Sequence, residues 1–235
     1  MTVRWERDGA LAVLTLDRPA RANAYDPAML DAFERALDAI LADPEVGALV
    51  VEAAGAGAFC GGADLARMAE TTPESALDLR SQALFDRLAR APLVSVAAVH
   101  GAAVAGGFEL ALACDLRIGS PQARFSLPET GLGLIPSAGG CTRLTRLVGP
   151  SRAKQLILGG YDLDARTALD WGLLAAVVEE PRQEARVTAR RVAGRDKVAL
   201  RLAKQVIDLG DTAASLQAER MAEALLYARR AARGA

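Results

Sequence analysis

The sequence predicts an α/β protein. Over its first 150 residues apolar runs of β type alternate with amphipathic helical segments, and two Gly-rich loops each lead into a helix; past residue 139 strand signals nearly vanish while helical periodicity continues. Residues 11–16 (LAVLTL) form the first β-type run. A Pro-containing turn leads to residues 27–41, where Met29, Leu30, Phe33, Leu37 and Ile40 recur at helical spacing. Residues 48–51 read as a buried strand, the Gly-rich stretch 55–62 as a loop, 73–90 as an amphipathic helix and 93–99 as a strand. A second Gly-rich turn, 101–107, opens a short apolar helix through residue 114, and 116–118 and 124–127 read as further short strands. This alternation is the signature of stacked βαβ units with right-handed crossovers. Residues 143–148, 151–158, 165–171, 182–193, 196–209 and 213–233 all read as helices. The chain therefore divides into an α/β core, residues 1–150, and a helical C-terminal part, residues 151–235, joined near 149–160 without a low-complexity linker.

Composition excludes several classes. With 235 residues, 51% of them apolar, the chain can bury one sizeable core or two small ones. Its 28 basic and 29 acidic residues leave no global field to recruit nucleic acid or an anionic membrane. The N-terminus lacks an apolar segment ahead of a cleavage site, and the longest apolar runs are too short to span a bilayer, so a cytoplasmic protein is expected. Cys60, Cys114 and Cys141 are odd in number and lack CxxC spacing, which points to buried or loop thiols and away from a disulfide framework or a metal site.

The two Gly-rich loops are the candidate functional elements. Helix N-termini present free amides, yet GAAVAGGFE has neither the GxGxxG spacing nor the GxxxxGK[ST] lysine of nucleotide-binding loops. Two readings remain: glycines that permit tight helix packing, or a pair of amide donors on different loops that converge on one oxygen where negative charge develops. Glu109, in the first turn of the short helix, and Glu129, after a Pro in a polar loop, are each open to a plain structural reading when taken singly.

Taken together, the segments around these loops resemble the enoyl-CoA hydratase/isomerase (crotonase) family. The motifs are Phe59-Cys60-Gly61-Gly62-Ala63-Asp64-Leu65, then Val96-Ala97-Ala98-Val99-His100-Gly101 with Ala105-Gly106-Gly107-Phe108-Glu109-Leu110, and Leu127-Pro128-Glu129; the likeness runs from about Asp17 to Val178. It implies a spiral of ββα units with a helical C-terminal region that mediates assembly into a homotrimer or homohexamer. It also implies an acyl-CoA substrate, with coenzyme A part of that substrate and no metal or separate cofactor. The oxyanion amides fall at Ala63 and Gly106, and the catalytic carboxyls at Glu109 and Glu129. An RP…NA element at Arg18-Pro19 and Asn23-Ala24 places Arg21 and Ala22 near the pantetheine and phosphates, with Gly61, Ala63, Leu65 and Gly106 also lining the coenzyme site. Residues along 68–76 and in the C-terminal helices would line the acyl pocket.

Adding water across a 2-enoyl thioester needs a base for the water that attacks C3 and an acid for the proton delivered to C2. Shifting a double bond from position 3 to position 2 needs a single shuttle, for which family isomerases keep the equivalent of Glu129. Glu109 therefore favours an enoyl-CoA hydratase, with Δ3-Δ2-enoyl-CoA isomerase or a non-catalytic acyl-CoA-binding protein as alternatives. His100, the only histidine, would have to serve any Ser-His-Asp or Cys-His hydrolase, but no Gly-x-Ser-x-Gly elbow is present and a structural role is expected. From Arg182 onward there are 12 basic and 6 acidic residues, read as solvated helix faces or as help in holding coenzyme phosphates; this basic excess is also the one feature behind an RNA-binding reading. The chain lacks the family's usual closing Lys-containing helix over the acyl pocket, which implies a more open pocket or one completed by a neighbouring subunit.

Overall fold

The computed structural model describes residues 2–64, 66, 72, 77 and 79–234. A six-stranded sheet runs in the order β1 (Val3–Asp8), β2 (Leu11–Leu16), β3 (Ala48–Ala53), β4 (Val94–Val99), β6 (Leu116–Gly119), β9 (Ala176–Val177). Only β1 and β2 are antiparallel; β2 to β9 are parallel, in registers such as Leu11 with Ala48 and Val96 with Leu116. A smaller sheet joins β5 (Ala102–Val104), β7 (Arg124–Ser126) and β8 (Leu163–Asp164).

Parallel strands covered on both faces read as continuous apolar runs, and all six residues of β2 and of β3 are buried. Alternation splits them between two cores. Ala12, Leu14, Leu49, Val51, Ala97 and Val99 face the larger one, with α1 (Pro27–Ala42) and α2 (Arg80–Ala89). Helix α1 starts where the Asp26 carboxylate accepts from the Met29 N–H at 2.8 Å, with Pro27 in its first turn, and it buries Met29, Phe33, Ala36, Leu37 and Ile40 along one stripe. The next helix in the chain, α3 (Gly106–Ala113), is buried at every position and packs against α2 and β5. After it come α4 (Thr145–Val148), α5 (Pro150–Ile157) and α6 (Ala165–Asp170). On the opposite face Leu11, Val13, Val50, Val96 and Ile118 pack against α7 (Pro181–Ala193), whose buried Ala185 and Ala189 let helix and sheet approach closely.

Strand pairing does extend beyond residue 139: the two-residue strands β8 and β9 each join a sheet, and they are too short to carry a periodic signal. Part of the helix expected over 73–90 lies outside the described residues, as does most of the 68–76 segment; α2 accounts for the rest.

The last two helices are α8 (Lys197–Leu209) and α9 (Ala213–Gly234). The Asp196 side chain caps α8, accepting from Val198 and Ala199 at 2.9 and 3.0 Å. The Lys204 ammonium then ties α8 to the sheet through Asp115 at 2.9 Å and the Leu93 carbonyl at 3.1 Å. Ile207, Leu209, Leu216, Met221, Leu225 and Tyr227 stay exposed on this pair. No helix among the described residues is long and apolar enough to cross a membrane.

Candidate active site

Because β2, β3 and β4 are parallel, the loops that follow them gather at one edge of the sheet, where open α/β sheets bind ligands. The first loop, residues 17–26, turns through left-handed Ala22 (φ 51°) and Asn23 (φ 53°). Asn23 is 1% exposed, and its amide organises the loop: Oδ1 accepts from Arg18 N at 2.8 Å, while Nδ2 donates to Ala54 O at 3.1 Å and Ala58 O at 2.9 Å. Asn or Asp tolerates this backbone better than other side chains that carry a Cβ.

The second loop, residues 54–64, is threaded between the first and β5. Gly61 N donates to Ala22 O at 2.9 Å, Cys60 N to Ala102 O at 3.2 Å, and Val104 N to Cys60 O at 3.0 Å. Arg18 clamps the two loops by pairing with Asp26 at 3.3 Å and Asp64 at 3.1 Å.

Two main-chain amides are left free by this threading. On either side of Ala63, Tyr25 N donates to Gly62 O and Asp64 N to Tyr25 O, both at 2.8 Å, but the Ala63 N–H has no acceptor among the described residues. Gly106 follows Ala105, whose φ of 50° and ψ of −128° are costly for a residue with a Cβ. Ala105 N bonds to Ser126 O at 2.9 Å and Ala105 O accepts from Phe108 and Glu109, which leaves Gly106 N unused at the positive end of α3. A Cβ placed on Gly62 would sit 3.1 Å from Gly106 N, so the two amide-bearing loops are in contact. Close approach also explains the glycine pair: a Cβ at Gly106 would collide with the Tyr25 hydroxyl, and one at Gly107 with the Cys60 carbonyl. Packing and free amides, separate alternatives in the sequence, coexist at residues 106 and 107.

Both candidate carboxyls are buried, close enough for the charge of Glu129 to act on Glu109. Glu109 is 3% exposed, and its Oε1 accepts from Ala138 N at 2.7 Å and Gly140 N at 2.8 Å, while Oε2 has no hydrogen bond among the described residues. Burial pushes its pKa up to about 7; the bond from Gly140 opposes the rise and the charge of Glu129 adds to it. Glu129 opens a short 3₁₀ turn, Glu129–Leu132. The polar loop expected around it is polar in sequence only, since Glu129 is 8% exposed, with its Oε2 buried and without a hydrogen-bond partner among the described residues. Burial raises its pKa as well. Cys141 is half-buried beside them, and its thiol pKa is pushed up by burial first and then by both carboxylates.

Of the candidate coenzyme contacts, Arg21 is exposed, Ala22 and Gly61 meet across the loop junction, and Leu65 lies outside the described residues. His100 does not sit in a catalytic relay. Burial and then the Arg182 charge lower its pKa to about 4, its Nε2 is 3.3 Å from Arg182 Nη2, and no carboxylate holds Nδ1 among the described residues. Many of the C-terminal basic residues are engaged inside the chain: Arg182 on the Ala53 and Gly55 carbonyls, Arg186 with Glu52 and Glu6, Arg190 with Asp8, and Arg229 with Asp196. The residues that sequence reasoning left without a role here are Tyr25, Cys141 and the organising Asn23. Asn23 was visible inside its motif, but nothing in local spacing marks the other two.

Two free amides, one in a loop at Ala63 and one at a helix start at Gly106, with two buried carboxyls on the neighbouring segments, are the features of enzymes that stabilise an oxyanion next to a proton-transfer step. The enoyl-CoA hydratase/isomerase family model matches residues 6–233, and the chain belongs to that family. It is 38% identical over 227 residues to a short-chain-enoyl-CoA hydratase of Clostridium acetobutylicum, covering 93% of this chain and 87% of the relative. It is 36% identical over 223 residues to a crotonyl-CoA hydratase of Syntrophomonas wolfei, covering 91% and 86%. A crystal structure of an enoyl-CoA hydratase from Bacillus anthracis superposes with a TM-score of 0.90 at 32% identity, over 95% of this chain and 90% of that one. The fold is the crotonase fold, with a helical C-terminal region.

Proposed function

We propose that the protein is an enoyl-CoA hydratase that adds water across the double bond of a 2-enoyl-CoA through an enolate held by the Ala63 and Gly106 amides. The observation that carries this reading is the presence of two buried carboxyls, Glu109 and Glu129, together with two amides on touching loops that have no protein acceptor among the described residues.

The thioester oxygen accepts from Ala63 N–H and Gly106 N–H, which withdraws electron density from C3. Glu109, fixed through Oε1, uses its free Oε2 to orient water and take its proton as the water oxygen bonds to C3. The π electrons move onto the thioester oxygen as an enolate. Glu129 then delivers its proton to C2, the carbonyl reforms, and the product is a 3-hydroxyacyl-CoA. One carboxylate and one carboxylic acid are needed at the start, and two buried carboxyls, both with pKa raised by burial and Glu109 raised further by the Glu129 charge, favour such a single proton. Glu109 is the group an isomerase can do without, and its two-amide anchor supports the hydratase reading.

Arg21, Ala22, Gly61 and Leu65 complete the proposed coenzyme side of the site. The exposed apolar residues on α8 and α9 support assembly into a homotrimer or homohexamer through the C-terminal region, as sedimentation would measure. The functional test is a comparison of 2-enoyl-CoA hydration with 3-enoyl-CoA isomerisation under the same conditions. Faster hydration is expected, isomerisation alone would reassign the site, and coenzyme A binding without turnover would make the protein an acyl-CoA binder.

A further inference from the structure

Tyr25 is a polar side chain of the site that the hydration scheme leaves unused, and it touches both amide-bearing loops. Its main chain holds Gly62 O and Asp64 N at 2.8 Å each, on either side of Ala63, so the direction of the Ala63 N–H is set by Tyr25. Its phenol oxygen lies over Gly106, in the space a Cβ there would need, with ring atoms Cζ and Cε1 at 2.8 and 3.0 Å from that position.

The ring is itself confined. Phe85 meets it edge to face with centroids 5.8 Å apart, and the buried Ser81 hydroxyl is a hydrogen-bond neighbour of the phenol. The void bounded by Tyr25, Met29, Phe33, Cys60, Phe85 and Leu110 is about 10 Å³, which gives the ring nowhere to retreat.

We propose that Tyr25 is the positioning residue of the oxyanion hole, a strut that fixes the separation and relative direction of the Ala63 and Gly106 amides. This rests on the hydratase reading above. Donors aimed at a developing oxyanion must sit within a few tenths of an ångström of their working distance, and a misplacement of about 1 Å costs on the order of 100-fold in rate. A residue with its main chain on one donor loop and its side-chain tip on the other is well placed to hold that tolerance.

The test uses Tyr25→Phe, which removes the atom resting on Gly106, and Tyr25→Ala, which removes the strut. Two quantities are measured: kcat and KM for a 2-enoyl-CoA, and the red shift in absorbance of a bound, slowly reacting aryl-enoyl-CoA, which reports polarisation of the thioester carbonyl directly. Tyr25→Ala is expected to lower kcat about 100-fold, to leave KM within about threefold and to lose most of the red shift. Tyr25→Phe should fall between it and the unmodified protein in both respects. A folded Tyr25→Ala protein with full kcat and full red shift overturns the proposal. So does a loss of kcat with the full red shift per bound ligand, which is what a merely structural role would give. Should Tyr25→Ala fail to fold, Tyr25→Phe decides by the same criteria. Failure of the hydratase reading looks different, because the unmodified protein would then leave the 2-enoyl-CoA unchanged or bind the aryl probe without any red shift.

Discussion

The Gly140 main-chain N–H donates to Glu109 Oε1 at 2.8 Å, across 31 residues of chain. With the Ala138 N–H on the same oxygen at 2.7 Å, it fixes one carboxylate oxygen to the protein and leaves the other for the reaction. A base oriented in this way is also a base that is hard to ionise, because burial outweighs the two bonds and its pKa stands at about 7.

The pH profile should carry that value. Water activation requires the ionised form, so kcat/KM is expected to fall about tenfold per pH unit below an apparent pKa near 7, measured on a 2-enoyl-CoA. A flat profile down to pH 5 would remove Glu109 from the role of base.

Stability should run the other way. The folded pKa of Glu109 lies above its ordinary 4.5, so the native state binds the proton more tightly than the unfolded chain does. The protein is therefore at its best, for this group, below pH 4.5, and loses about 3 kcal/mol as pH rises from there to about 7. Glu109→Gln keeps an oxygen for the Ala138 and Gly140 amides and removes that penalty. Its advantage in denaturant unfolding should be largest at pH 8 and shrink toward pH 5, while hydration drops about 100-fold or more.

Gly106→Pro deletes one oxyanion donor and also drives ring atoms against the Tyr25 hydroxyl. Turnover should fall on the order of 100-fold to 1,000-fold, as steady-state rates of the folded protein would register. Undiminished turnover would show that the Gly106 amide is not on the reacting oxygen.

Asn23→Ala orphans the Arg18 amide and the Ala54 and Ala58 carbonyls under the first two loops. Three lost, partly buried bonds cost about 3 kcal/mol, and a melting temperature lower by roughly 10 °C is expected by calorimetry. Because those loops carry Ala63 and the coenzyme side, KM should rise as well.

Much of this was legible in the sequence because local chemistry repeats the tertiary arrangement. The buried strands at 11–16 and 48–53 are apolar but for Thr15 and Glu52, and the glycines at 106 and 107 mark close approach. The family resemblance singled out Glu109, Glu129, Ala63 and Gly106 as the candidate site. What the sequence could not carry was apposition across long separations. The clamp of Ala138 and Gly140 on Glu109 joins segments about 30 residues apart, and the burial of Glu129 belies its polar neighbours. The phenol of Tyr25 over Gly106 follows no local period, and β8 and β9 are two residues each.

The most direct test of the account is to incubate the protein with a 2-enoyl-CoA in deuterium oxide and analyse the product by mass and NMR. The account predicts a 3-hydroxyacyl-CoA carrying one deuterium at C2; in Glu109→Gln hydration is suppressed while the C2 proton of supplied 3-hydroxyacyl-CoA still exchanges measurably with solvent, and in Glu129→Gln both are lost. Recovery of unchanged 2-enoyl-CoA from the unmodified protein, alongside conversion of a 3-enoyl-CoA to the 2-enoyl isomer, would contradict it.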